Sequence, residues 1–147
     1  MTRPASPSDG SRARTSSRSK ARKRALDVLF EAELRGSDPL QTLEERSADD
    51  GPPVRDYTAT LVRGVVQHAT EIDARISAAV VRGWSLPRMP RVDRIALRIA
   101  VLEIDHLDVP DPVAVAEAVA LVGELSTDES PAFVNGVLGT VVATKSG

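Results

Sequence analysis

The sequence predicts an all-α fold of about seven helices. Three observations carry that expectation. Apolar residues recur at helical spacing through most of the chain, three short Asp-Pro or Ser-Pro pairs mark helix starts, and no pair of alternating strands joined by a hairpin turn occurs. Asn135-Gly136, a pair that elsewhere signals a hairpin, sits inside a helical run.

The first helix is expected from Ser19. Ala21, Ala25, Val28, Leu29 and Ala32 share one face, Leu26 and Phe30 widen it, and Gly36 supplies a C-terminal stop. Asp38-Pro39, Asp111-Pro112 and Ser130-Pro131 each pair a capping oxygen with a proline that has no N–H to leave unsatisfied in the first turn. They open helices over residues 39–48, 112–125 and 131–143. Gly51-Pro52-Pro53 breaks the chain before a long helix, residues 54–81, with Leu61, Val65, Ile72, Ile76 and Val80 facing inward and Arg82-Gly83 ending it. Residues 85–90 allow only a short turn, because Pro90 removes a donor. Residues 92–107 form the most apolar helix. Val92, Ile95, Ala96, Ile99, Leu102 and Ile104 cover more than one of its faces, the pattern of a helix lying between packed layers. Val113 to Val119 alternates weakly, as a strand would; its length, Asp-Pro start and Ala content favour helix.

Composition narrows the function. The chain has 147 residues and no cysteine, which excludes disulfides, thiolate zinc sites and cysteine nucleophiles. No apolar run reaches membrane-spanning length, and the start lacks a signal-peptide core, so a cytoplasmic protein is expected. The four aromatics are Phe30, Tyr57, Trp84 and Phe133, so the core is aliphatic. Charge is segregated: residues 1–24 hold eight of the 19 Lys and Arg residues against one acid, Asp9, while the body is acidic. Residues 1–17 have no apolar periodicity and read as a disordered basic tail; residues 18–147 read as the folded domain.

Such an arm suits a polyanion, although a basic, Ser-rich terminus also serves as plain solvated chain. The basic run flows directly into the first helix. Arg18 and Arg22, and Lys20 and Arg24, are spaced i,i+4, and Lys23 adjoins them. Like charges this close repel unless an anion lies between them, and a phosphate backbone supplies one. Elsewhere the chain carries no phosphate-binding Gly-rich loop and no metal-protease or calcium motif. His68 and His106 are far apart in sequence and read as surface or capping residues, and Glu44-Glu45, Asp49-Asp50 and Asp128-Glu129 are sequence neighbours that point different ways on a helix. No enzyme and no cofactor is expected.

Val92-Asp-Arg-Ile-Ala-Leu-Arg-Ile-Ala-Val-Leu-Glu103, Val109-Pro110, Val113 through Glu117-Ala-Val, and Ser130-Pro-Ala-Phe-Val-Asn-Gly-Val-Leu138 together resemble the NusB family of transcription antitermination proteins, in an actinobacterial style. Ala21 to Phe30 resembles that family's first helix. The resemblance covers about residues 18–142 and implies two small helical bundles sharing long helices. It implies RNA binding without a cofactor: pairing with NusE, a small-subunit ribosomal protein, on boxA RNA of nascent ribosomal transcripts, within a complex that helps RNA polymerase resist termination. Both monomers and homodimers occur in the family. It places the RNA contacts on Arg18, Lys20, Arg22, Lys23 and Arg24, the acidic loop on Asp128 and Glu129, and Phe-Val-Asn-Gly on Phe133, Val134, Asn135 and Gly136. Asn135 can address a base edge or its own backbone, and a close approach by another chain or by RNA would account for Gly136. Phe30 stands where the family often has Tyr at a partner contact, and Gly123 where it often has a basic residue. Two other readings are a helical protein-interaction module and an accessory domain of an RNA-modifying enzyme; the second is disfavoured by the lack of a following catalytic domain or catalytic cysteine.

Overall fold

The computed structural model describes residues 7–48, 54–80 and 85–145, with side chains from Ser17 onward. Seven α-helices occur among them: α1 (Pro7–Arg35), α2 (Pro39–Ala48), α3 (Asp56–Gln67), α4 (Ala69–Ala79), α5 (Arg91–His106), α6 (Asp111–Leu125) and α7 (Ser130–Ala143), with a 3-10 turn at Leu86–Arg88. The described residues contain no strand, so Val113–Val119 is helical. The expected break at Gly51-Pro52-Pro53 and the expected stop at Arg82-Gly83 lie outside the described residues.

The most apolar stretch becomes the centre. α5 packs against α1, α3, α4, α6 and α7, and its buried residues Ile95, Ala96, Leu97, Ile99, Val101, Leu102 and Ile104 point in every direction around the axis. α1, α2 and α3 pack on one another, and α4, α6 and α7 gather on the other side of α5, giving two helical groups that share it.

Local chemistry accounts for the helix ends, with three corrections. Gly36 has φ of 66°, the left-handed conformation expected of a stop, and Ser37 N–H closes the end by donating to the Ala32 carbonyl at 2.8 Å. Asp38 caps α2 as expected, accepting from Leu40 N–H at 2.9 Å. Asp111 and Ser130 do not cap. Each is the first residue of its helix, preceded by Pro110 and Glu129, and neither of those positions makes a side-chain cap bond. The second correction divides the helix expected over 54–81. It breaks at His68, where φ of −107° and ψ of 21° leave helical geometry. No proline marks this break; both halves pack on α5, but α3 also packs on α1 and α2, and α4 on α7. α1 begins at Pro7, ahead of Ser19, since extending a helix already nucleated by packing adds a hydrogen bond per residue.

Candidate nucleic-acid interface

The basic start of α1 divides into exposed and internal charges. Arg18 and Lys20 are exposed. The Arg18 guanidinium lies 4.3 Å from the centre of the Tyr57 ring, and Lys20 lines a shallow groove with Ser19, Lys23, Ala116, Glu117 and Ala120 between α1 and α6. Lys23 donates to Glu124 at 2.5 Å, and that bond raises its pKa, so it carries full charge throughout the neutral range. An anion must compete with Glu124 for it. Arg24 is half-buried, its Nε without a hydrogen-bond partner, and its charge faces Asp27, whose carboxyl is raised by burial.

Arg22 is the correction. It is 2% exposed and its Nε reaches both carboxylate oxygens of Glu103, at 3.0 and 2.9 Å, with Glu117 3.4 Å from a terminal nitrogen. Glu103 is itself 1% exposed and also accepts from the Tyr57 hydroxyl. Burial first, and then this bond to Glu103, push the Tyr57 phenol up to about 12. Arg22 therefore clamps α1 to α5 and is withdrawn from the surface. The signal was present: Arg22 precedes Leu26 and Leu29 on the same helical face, and both are buried.

The loop between α6 and α7 carries Asp128 and Glu129, both exposed. It is fastened from below. Asp93, buried in the first turn of α5, accepts from Ser126 at 2.7 Å and from Ser130 at 2.9 Å, while Ser130 Oγ accepts from Thr127 N–H. Ser130 thus ties the loop to α5 where a forward cap was expected. Ser130→Ala is expected to cost about 2 kcal/mol, the range of a hydrogen bond to a charged acceptor. A shifted urea midpoint at unchanged m-value is the measurement; a shift of a few tenths would mean that Asp93 does not hold the loop.

Asn135 is exposed and lines a groove between α6 and α7 with Asp111, Val115, Ala116, Val119 and Gly139. Ala116 lines this groove and the Lys20 groove alike, so α6 separates the two. A Cβ on Gly136 would meet nothing within 4 Å, so none of the described residues requires glycine there. Phe133 is partly buried against the core, and so is Phe30, with the Arg91 guanidinium 5.7 Å from its ring centre. Phe30 lies on α1 beyond the basic cluster, and Arg91 opens α5.

Residues 19–143 match the NusB family model. The chain belongs to the NusB family. The transcription antitermination protein NusB of Nocardioides sp. is 57% identical over 131 residues, 88% of this chain and 96% of that protein. Among solved structures, NusB of T. maritima aligns with TM-score 0.77 and 30% identity over 88% of this chain and 93% of that one. A structure of the antitermination factors NusB and NusE in complex with dsRNA aligns with TM-score 0.71 and 30% identity over 86% of this chain and 96% of that one.

In this NusB-family chain, two residues of the basic surface escaped the sequence. Arg55 and Tyr57 share a recess with Ser17, Arg18 and Ala21, and Arg55 donates to Ser17 at 2.9 Å. Two guanidiniums, one of them seated on an aromatic ring, form a surface suited to phosphate. Arg55 lies just outside α3, in a stretch without charge periodicity, so only the packing of α3 on α1 reveals it.

Proposed function

We propose that the chain is an RNA-binding transcription antitermination factor. With a NusE-type ribosomal protein it recognises boxA RNA in ribosomal transcripts and helps RNA polymerase resist termination, in the cytoplasm and without catalysing a reaction. The observation that carries this reading is the likeness, over 86% of the chain, to a NusB solved with NusE and dsRNA. The described helices include none long and apolar enough to cross a membrane, which fits a role on a transcript.

The RNA surface is the start of α1. Arg18, Lys20 and Arg55 offer charge to phosphates, Lys23 joins when RNA displaces Glu124, and Arg24 contributes its outer nitrogens. The Tyr57 ring fixes Arg18 from beneath. Arg3, Arg12 and Arg14 of residues 1–17 add sequence-independent attraction for a polyanion, and residues 18–147 choose the sequence. Asp128 and Glu129 discourage RNA from settling on the loop, and Asn135 is the residue placed to read a base or a partner's backbone. Arg22 acts only through the position of α1.

Titration of labelled boxA RNA across a salt series tests the surface. Arg18→Glu with Lys20→Glu should flatten the dependence of log K on log salt by about one per lost phosphate contact. Thermal unfolding should be unchanged, because both side chains are exposed. An unaltered salt slope would place the RNA elsewhere on the molecule.

A further inference from the structure

We propose that His68, Glu71 and His106 form a binding site for one divalent transition cation of the zinc class. The two histidines are distant in sequence, but packing of α4 on α5 brings them together. His68 occupies the break between α3 and α4, Glu71 lies in the first turn of α4, and His106 is the last residue of α5. The imidazoles stack with centres 3.8 Å apart and planes 11° from parallel. Glu71 Oε2 lies 3.3 Å from His106 Nε2 and 3.7 Å from His68 Nδ1. One ligand atom from each residue lies within 4.8 Å of the other two.

These spacings suit the ion. Zinc holds nitrogen and oxygen ligands at about 2.0–2.1 Å in a tetrahedron, whose edges are then about 3.4 Å. Two edges of that figure are already near this length, and the third needs the imidazole nitrogens to converge. Stacked rings keep their lone pairs in separate planes, so one ring must turn for both to face one ion. Room exists for that: the His68 and His106 side chains are 26% and 25% exposed, and Glu71 is 68% exposed and can follow. Water would complete the tetrahedron. Two imidazoles and one carboxylate favour zinc over magnesium and calcium, which prefer all-oxygen shells. Arg75, one turn beyond Glu71, is held by Asp105 at 2.7 Å and does not compete for the Glu71 carboxylate. A bound ion would tie the α3–α4 break to the end of α5, adding to the Arg75–Asp105 and Arg98–Asp73 ion pairs that already join α4 to α5.

Calorimetric titration of untagged, chelator-treated protein with zinc chloride, and separately with magnesium chloride, tests the site. One zinc per chain and no magnesium binding are expected. The melting temperature should rise by several degrees once free zinc exceeds its dissociation constant by about 100-fold. His68→Gln, Glu71→Gln and His106→Gln should each weaken zinc binding by about tenfold or more. Glu71→Gln is the check on folding, because an exposed side chain can be changed with little effect on the zinc-free melting temperature. No zinc heat, or a zinc affinity that survives both His106→Gln and Glu71→Gln, would overturn the proposal.

Discussion

Glu103→Ala is expected to destabilise the protein by about 3–5 kcal/mol, because it leaves a buried guanidinium without its partner. Arg22 and Glu103 are 2% and 1% exposed, so solvent cannot take over the lost interaction. Glu117, 3.4 Å from Arg22, offsets part of the loss and pulls the figure toward the lower end. The Tyr57 hydroxyl loses its acceptor in the same step. Replacing both members, Arg22→Met with Glu103→Leu, should come much closer to the parent, since removing a whole buried pair removes its desolvation cost as well. Chemical denaturation of the two variants decides the matter, and a loss below about 1 kcal/mol in Glu103→Ala would deny the pair its structural weight. The double variant also separates clamp from contact: if Arg22 serves only to seat α1, RNA affinity survives its replacement. Alkali should probe the same cluster. The Tyr57 phenol is raised to about 12 in the folded state from an ordinary value of 10.0, so the stability tied to its proton is fully present below pH 10 and is lost as pH rises toward 12. Tyr57→Phe should remove that share of the alkaline decline, measured as the difference between the two pH profiles.

The sequence made the helices legible because helix punctuation is local. Asp38-Pro39, Gly36 and the apolar stripe of α1 each act within a turn or two, and each appears in the structure where expected. What it concealed depends on partners distant in the chain. Ser130 resembles a cap, yet its hydroxyl goes to Asp93, because the α6–α7 loop folds back on the start of α5. The break at His68 has no breaker residue, since it is set by two helices that share α5 but otherwise pack on different neighbours. Within the basic run, Arg22 reads like its neighbours by charge alone; only its place on the buried face, matched by the buried Glu103 of α5, marks it as internal. The recess of Arg18, Arg55 and Tyr57 joins two helices and carries no linear signature.

Gly64 offers the sharpest test of how α3 seats on α5. A Cβ at this position would lie 2.7 and 2.9 Å from the two methyl carbons of Leu102, which is 1% exposed and would have to shift within the packed core. Gly64→Ala gains about 1 kcal/mol of helix propensity but should lose about 1–3 kcal/mol to overpacking, for a net destabilisation. Leu102→Ala alone should cost about 2–5 kcal/mol through lost burial and the cavity it opens. Combining them reverses the sign of the first change. With Leu102 truncated, the new methyl at residue 64 enters vacated space, so it keeps its propensity gain and recovers some packing. The pair should therefore show a coupling of about 1–3 kcal/mol, as contacting core residues do. Urea unfolding of the four proteins measures it. If Gly64→Ala has the same effect in both backgrounds, the two helices do not approach through this contact, and the close crossing of α3 over α5 would have to rest on other residues.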